Sequence, residues 1–126
     1  MVDTMEIYKI TQGMTYKYAT KYHNVRQTYN GYSYMSKLEA GQAFELDVRM
    51  KAGEIISWER QVKIDLQAYG KHICNYYIDF VATRKDGIKE YIEVKGMETD
   101  VWKMKWKMFE AKMAIEDPRA ELIIVK

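Results

Sequence analysis

The sequence predicts one α/β domain with the element order helix, three strands, helix, strand, preceded by a β-hairpin. Three observations predict it: two stretches with helical periodicity, an alternating apolar pattern between them, and an apolar run after the second helix. A chain of 126 residues, 48% hydrophobic and 30% charged, has the size and composition of one globular domain. We expect residues 1–35 to form an N-terminal extension that holds the hairpin, and residues 36–126 to form the core.

Turn and capping signals predict the hairpin and the first helix. Asn30 and Gly31 lie between β-prone residues, and both central positions of a type I′ turn need a positive φ. Ser36, with Glu39 three residues later, matches a capping box. The helix that begins there is expected to end at Gly53, because glycine is the residue best suited to the position after a helix.

The three strands that follow are predicted from alternation and from turn residues. Apolar side chains alternate with polar ones over residues 58–67, which is the pattern of a strand with one buried face. A second strand is expected over residues 73–83 and a third over residues 88–95. Gly70 and Gly87 mark the turns that separate them.

A wide apolar stripe predicts the second helix, which Thr99 or Asp100 can cap. The central positions of the stripe recur at helical spacing: Trp102, Trp106, Phe109 and Met113. The adjoining positions are also apolar: Val101, Met104, Met108, Ala111 and Ile115. Pro118 ends the helix, and residues 121–126, which contain an unbroken apolar run, predict a final, buried strand.

Three ionisable residues are predicted to share one face of the sheet. Glu93 and Lys95 are two residues apart on one strand and therefore point the same way. A two-residue turn between the second and third strands would set Asp79 opposite Val94. A three-residue turn over residues 85–87 sets Asp79 opposite Glu93, and its last residue is a glycine, as the left-handed third position of such a turn requires. We therefore expect the three-residue turn.

Two neighbouring carboxylates with a lysine beside them suit metal-assisted phosphodiester hydrolysis. Asp79 and Glu93 would repel each other, and a divalent cation such as Mg²⁺ relieves that repulsion. Lys95 could orient a water molecule or stabilise charge on phosphate. The alternative is a set of solvated surface charges or a weak ion pair. Glu39 lies on an apolar helix stripe and could be a third acid, although the capping box also explains it.

Basic and aromatic residues predict contact with nucleic acid. Residues 1–35 contain seven of the eleven tyrosines together with Lys21 and Arg26, which suits phosphate contacts and base stacking. The same tyrosines could instead pack on the domain. Lys105 and Lys107 of the second helix could hold phosphates, or could belong to a solvated helix face.

Several function classes do not fit the residues present. The chain has two histidines, His23 and His72, and one cysteine, Cys74, so neither a zinc hydrolase motif nor an intrachain disulfide is expected. The sequence contains no glycine-rich phosphate loop. No apolar run approaches the length of a transmembrane helix. We expect a reducing, cytoplasmic location.

The motif resembles a known nuclease signature. Asp79, followed after thirteen residues by Glu93-Val94-Lys95-Gly96, resembles the signature of the PD-(D/E)XK nuclease superfamily, with Ile78 where the signature has proline. The resemblance extends over nearly the whole chain to a family of small phage and prophage proteins that is similar to Holliday junction resolvases. The segments that carry it are Lys21-Tyr22, Asn30-Gly31, Ser36 to Ala40, Gly53 to Ile55, Gln61, Tyr77 to Phe80, Glu93 to Gly96, and Lys105 to Phe109.

The resemblance implies a restriction-endonuclease-like core, with helices flanking a mixed central sheet. It also implies a homodimeric, structure-selective DNA endonuclease that depends on Mg²⁺ or Mn²⁺ and acts on branched or duplex DNA. Residue by residue, it makes Asp79 and Glu93 metal ligands, Lys95 the catalytic lysine and Glu39 a helix-borne acid of the site. Further positions would serve the DNA or the site itself: Gln61 on the first strand, and Lys105 and Lys107 at phosphates.

We therefore expect a Holliday junction or branched-DNA resolvase from a phage or prophage. One alternative is another DNA nuclease, active in restriction, nicking or the processing of recombination ends. A second alternative is a nucleic-acid-binding protein that has the fold without turnover.

Overall fold

The computed structural model describes residues 15–19, 25–34, 36–95 and 97–126. The chain divides into two compact units, with the boundary between Ala52 and Gly53. The predicted division into residues 1–35 and 36–126 stays a prediction. No helix in the described part of the chain combines the length and the hydropathy needed to span a membrane.

The first unit contains a small antiparallel sheet in the order β1-β2-β3. Its strands are β1 (Thr15–Ala19), β2 (Val25–Tyr29) and β3 (Tyr32–Tyr34). Asn30 and Gly31 join the last two with φ values of 51° and 84°, as a type I′ turn requires. The predicted hairpin is therefore confirmed, whereas β1 was not expected from the sequence.

Helix α1 (Lys37–Lys51) follows the hairpin in the same unit. The Ser36 hydroxyl accepts a hydrogen bond from the Glu39 backbone N–H at 3.2 Å, which satisfies one of the free donors at the helix start. Gly53, with φ of 81°, follows the last turn. Both predicted ends of the helix are confirmed. The Tyr29 hydroxyl donates to Asp47 Oδ2 at 2.6 Å, which ties the hairpin to the helix.

The second unit is a four-stranded mixed sheet with one helix. Its elements are β4 (Ile55–Ala68), β5 (Lys71–Arg84), β6 (Lys89–Val94), α2 (Asp100–Glu116) and β7 (Glu121–Val125). The strand order is β4-β5-β6-β7. The first three strands are antiparallel and β7 is parallel to β6. Helix α2 provides the crossover that parallel neighbours need. The predicted mixed sheet and element order are confirmed.

The turn between β5 and β6 has three residues, as expected from Gly87. The Arg84 backbone N–H donates to the Ile88 carbonyl oxygen at 2.9 Å, which closes the turn over residues 85–87. Gly87 has a φ of 87°, in the left-handed region that favours glycine. The register that starts there runs without a shift to the pair Phe80 and Ile92.

The core of this unit lies between α2 and one face of the sheet. The buried residues of α2 are the four that the spacing predicts: Trp102, Trp106, Phe109 and Met113. They pack with Ile64, Leu66, Tyr76, Ile78, Val81 and Tyr91 of the strands.

Two predictions about burial are wrong. Val101, Met104 and Ile115, expected in the apolar stripe of α2, are exposed, because one sheet face covers only an arc of a helix. Strand β7, expected to be buried, is an edge strand, and its Ile124 is 37% exposed. An edge strand has one neighbour only, so an apolar run does not guarantee burial.

Candidate metal and catalytic site

The hydrogen bonding between β5 and β6 changes at Asp79, where side-chain oxygens become the acceptors. The last pair of the ladder is Phe80 with Ile92, and continuing that register by one residue puts Asp79 opposite Glu93. The Asp79 backbone N–H donates to Glu93 Oε1 at 3.3 Å, and the Val94 backbone N–H donates to Asp79 Oδ2 at 2.9 Å. Side-chain oxygens thus accept from the backbone at the end of this ladder. These two hydrogen bonds hold the carboxylates of Asp79 and Glu93 next to each other, as the three-residue turn predicts.

Lys95 lies beside the carboxylate pair. Its Nζ atom is 3.9 Å from Glu93 Oε2 and 5.1 Å from the centroid of the Trp102 ring. Its backbone N–H donates to the Val125 carbonyl oxygen at 2.9 Å, so β7 fixes the backbone of this residue. The ammonium group is held by a carboxylate on one side and by an aromatic face on the other, both of which attract a cation.

A buried hydrogen bond supports this arrangement from α2. Thr99 Oγ1 accepts from the Trp102 backbone N–H at 3.1 Å and caps the helix. The Trp102 indole Nε1 donates to the Tyr76 hydroxyl at 2.8 Å. Burial, together with the charge of Glu93, raises the pKa of Tyr76, so its hydroxyl stays protonated. Sequence reasoning placed Trp102 only in the core and missed Tyr76, since alternation marks it merely as a core position.

Burial controls the charge of the carboxylate pair. Glu93 is 1% exposed. Burial first, and then the nearby Asp79 carboxylate, raise the pKa of Glu93 to about 7, and Lys95 offsets part of that rise. Burial also raises the pKa of Asp79, against the opposing effects of the Val94 N–H and Lys95. The pair therefore resists carrying two negative charges at neutral pH.

Such a pair fits a divalent cation. Mg²⁺ and Mn²⁺ prefer oxygen donors, and protein sites for Mg²⁺ often supply only one or two carboxylates, with water and phosphate completing the shell. A cation would compensate the charges that burial penalises. Among the residues that the structure describes, no group of three or more His, Cys, Asp or Glu side chains comes together. Asp79 and Glu93 are the two acidic side chains that the second unit brings together at this site.

The other predicted site residues are placed as follows. The Gln61 amide Nε2 donates to Asp79 Oδ1 at 3.3 Å, so Gln61 joins the site. Glu39 belongs to the first unit, at the third position of α1, and its role in the site stays a prediction. Lys105 is half-buried and Lys107 exposed on α2. Two more predicted DNA contacts, Lys21 and the side chain of Arg26, lie outside the described residues.

Comparison with known proteins gives one match. The family described as "Protein of unknown function (DUF1064)" matches residues 19–124, which is most of the chain. Neither a curated protein nor a solved structure matches.

Proposed function

The chain belongs to the DUF1064 family, and from its site we propose that it is a divalent-metal-dependent endodeoxyribonuclease that cuts branched DNA, as Holliday junction resolvases do. The observation that carries the proposal is the juxtaposition of Asp79 and Glu93, whose backbone N–H and Oε1 are hydrogen-bonded at 3.3 Å, with Lys95 Nζ 3.9 Å from Glu93 Oε2. Two acids and a lysine in this relation suit phosphodiester hydrolysis, because the reaction develops negative charge on phosphate. The resemblance of the motif to the PD-(D/E)XK signature supports the same reading.

In this proposal Asp79 and Glu93 would hold Mg²⁺ or Mn²⁺. When bound, the cation supplies polarisation of a phosphoryl oxygen and a more acidic water molecule. Burial raises the pKa of Glu93 to about 7, and as a metal ligand Glu93 would need to be deprotonated. Lys95 Nζ donates a hydrogen bond to the attacking water or to the phosphate. The Trp102 ring, whose centroid lies 5.1 Å from Nζ, attracts that ammonium group.

We further propose that the substrate is a four-way DNA junction and that the protein acts on it as a homodimer. A homodimer could present two symmetry-related sites to the two-fold symmetric four-way junction. Lys105, Lys107, Lys21 and Arg26 would neutralise phosphates, and Glu39 would complete the acidic set. We also propose a location in the cytoplasm of a bacterial host, which the resemblance to phage proteins supports.

Cleavage of synthetic DNA tests the proposal. A labelled four-way junction and a linear duplex of the same sequence would be incubated with the protein in Mg²⁺ and in EDTA. We expect paired nicks in the junction only, lost in EDTA and with Asp79→Asn. Asp65→Asn is the matched control, because Asp65 is a carboxylate of the same sheet that pairs with His72 and lies outside the site.

Each other outcome has a definite meaning. Cutting of both substrates would replace the resolvase by a less selective nuclease. Binding of the junction with no cutting in Mg²⁺ or Mn²⁺ would favour a binding protein of this fold. Equal cutting by Asp79→Asn and the wild type would exclude the Asp79 site.

A further inference from the structure

Gln61 has an unusual backbone conformation for its place in the fold. Its φ of 50° lies in the left-handed region, although it is not glycine and stands in the middle of β4. Among the described residues, the other non-glycine positions with positive φ are Asn30 and Tyr69, and both lie in turns. A strained conformation inside a regular strand needs a compensating interaction and is typical of functional sites.

Strand β5 changes its buried face between Ile78 and Val81. Ile78 and Val81 both belong to the hydrophobic cluster under α2. Strict alternation puts residues that are three apart on opposite faces of a sheet. The alternation therefore shifts between them, at Asp79 or Phe80. Phe80 is fully buried yet does not belong to that cluster, and its ring packs against Trp58, so we infer that it points to the other face.

Strand β4 makes the same change at Gln61. Val62 packs on the cluster under α2. Trp58, four residues earlier, would share that face in a regular strand, yet its ring packs against Phe80 with 5.7 Å between centroids. Gln61 lies within this interval. A left-handed residue re-aims the side chains that follow it, as in a β-bulge, and such irregularities concentrate next to active sites.

The side chain of Gln61 meets Asp79 across the two strands. The flanking pairs, Arg60 with Phe80 and Val62 with Ile78, set Gln61 directly opposite Asp79. Gln61 Nε2 donates to Asp79 Oδ1 at 3.3 Å, while Asp79 Oδ2 accepts from the Val94 N–H at 2.9 Å. Both carboxylate oxygens are thus oriented, and each keeps a lone pair for a further ligand.

We propose that Gln61 is a positioning residue that holds the Asp79 carboxylate in the orientation a divalent cation requires. The strained backbone of β4 is retained because it aims the Gln61 amide at Asp79 Oδ1. This inference rests on the proposed function for its catalytic meaning. Its structural content, the anchoring of Asp79 by Gln61, can be tested without any activity.

Substitution by glycine separates strain from positioning. Gln61→Gly removes the amide and relieves the strain, because glycine adopts a positive φ readily. Tyr69→Gly is the matched control: Tyr69 has a φ of 53° and is fully exposed in the β4–β5 turn. We expect Tyr69→Gly to have a higher urea midpoint than the wild type, whereas in Gln61→Gly the lost hydrogen bond to Asp79 offsets the relief of strain. Only Gln61→Gly is expected to weaken Mn²⁺ binding, about 10- to 100-fold, as loss of a group that orients a ligand does.

Kinetics and hydrogen exchange complete the test. In Gln61→Gly the Mg²⁺ concentration for half-maximal cleavage should rise by the same factor, with kcat at saturating Mg²⁺ little changed. In the metal-free variant the Val94 amide should exchange with solvent about tenfold faster, because its acceptor Asp79 is no longer anchored. The Arg84 amide, bonded to the Ile88 carbonyl oxygen, is the internal reference. Gln61→Asn, whose amide is one methylene shorter, should match Gln61→Gly in both readouts.

The two proposals fail in distinguishable ways. If the wild type binds no Mn²⁺ and cuts no DNA, the proposed function is wrong, and the exchange of Val94 alone decides whether Gln61 anchors Asp79. Unchanged Val94 exchange in Gln61→Gly would overturn the positioning role. Unchanged Mn²⁺ affinity in that variant, with a wild type that binds, would overturn it as well.

Discussion

Replacing Glu93 by glutamine should stabilise the metal-free protein at neutral and alkaline pH. Glu93 is 1% exposed and lies next to Asp79, so its ionised form is unfavourable in the folded state. Glutamine has nearly the same shape and keeps an oxygen that can accept the Asp79 backbone N–H, but it carries no charge. The variant therefore removes the electrostatic cost and leaves the packing in place.

The magnitude follows from the linkage between proton binding and folding. The pKa of Glu93 rises from its ordinary 4.5 to about 7 on folding. Between these values the folded protein keeps a proton that the unfolded chain has released, so the free energy of unfolding falls as pH rises. One pKa unit corresponds to about 1.4 kcal/mol, and the whole shift therefore costs roughly 3 kcal/mol above pH 7.

Urea denaturation in EDTA, repeated from pH 5 to pH 9, measures this effect. We expect the stability advantage of Glu93→Gln over the wild type to be small near pH 5 and to grow to about 3 kcal/mol above pH 7. Glu59→Gln, which changes an exposed carboxylate of β4, should follow the wild type throughout. Parallel stability curves for Glu93→Gln and the wild type would show that the buried Glu93 charge does not destabilise the folded protein.

In the wild type, divalent cations should counteract the fall in the free energy of unfolding that accompanies rising pH. A cation binds the deprotonated pair, so it should stabilise the folded protein more as pH rises. At a free concentration 100 times its Kd, a ligand stabilises the folded state by about 2.7 kcal/mol. Glu93→Gln, which lacks one of the two carboxylates, should show a much smaller gain from Mg²⁺.

Three further substitutions test separate parts of the account. Lys95→Ala should lower the rate of single-turnover cleavage of a four-way junction about 10²- to 10⁴-fold, because it removes a group that serves the reaction. Its affinity for the junction in a gel shift should stay nearly unchanged. Equal loss of cleavage and of affinity would contradict that role. Trp102→Phe removes the donor to the buried Tyr76 hydroxyl. It should lower the free energy of unfolding in urea by about 1–3 kcal/mol and should slow cleavage. An unchanged free energy of unfolding would count against the hydrogen bond. Ser36→Ala should cost about 1 kcal/mol through loss of the α1 cap, and an unchanged thermal midpoint would contradict the capping interaction.

Local turn chemistry is enough to predict the central geometry of the candidate site. A three-residue turn needs a left-handed last residue, and Gly87 supplies it with a φ of 87°. Because the register of a hairpin propagates from its turn, the opposition of Asp79 and Glu93 follows several residue pairs away. Capping at Ser36 and the buried side of α2 are likewise local signals, and both are confirmed.

Features that depend on packing could not be predicted in this way. Nothing in the local sequence marks Gln61 for a positive φ, since glutamine is not a turn residue and its neighbours alternate regularly. The near-complete burial of Glu93 depends on the elements packed around it, and so does the rise of its pKa. The exposure of Met104 has the same origin, because periodicity shows which residues could be buried but not how wide the covering surface is.

Titration of the metal-free protein with Mn²⁺ shows directly whether Asp79 belongs to a divalent-metal site. Calorimetric titration at pH 7.5 would compare the wild type with Asp79→Asn, and with Asp65→Asn as the control. We expect a Mn²⁺ site in the wild type and in Asp65→Asn that is lost or greatly weakened in Asp79→Asn. Equal Mn²⁺ binding by Asp79→Asn and the wild type, or no binding by either, would contradict this expectation.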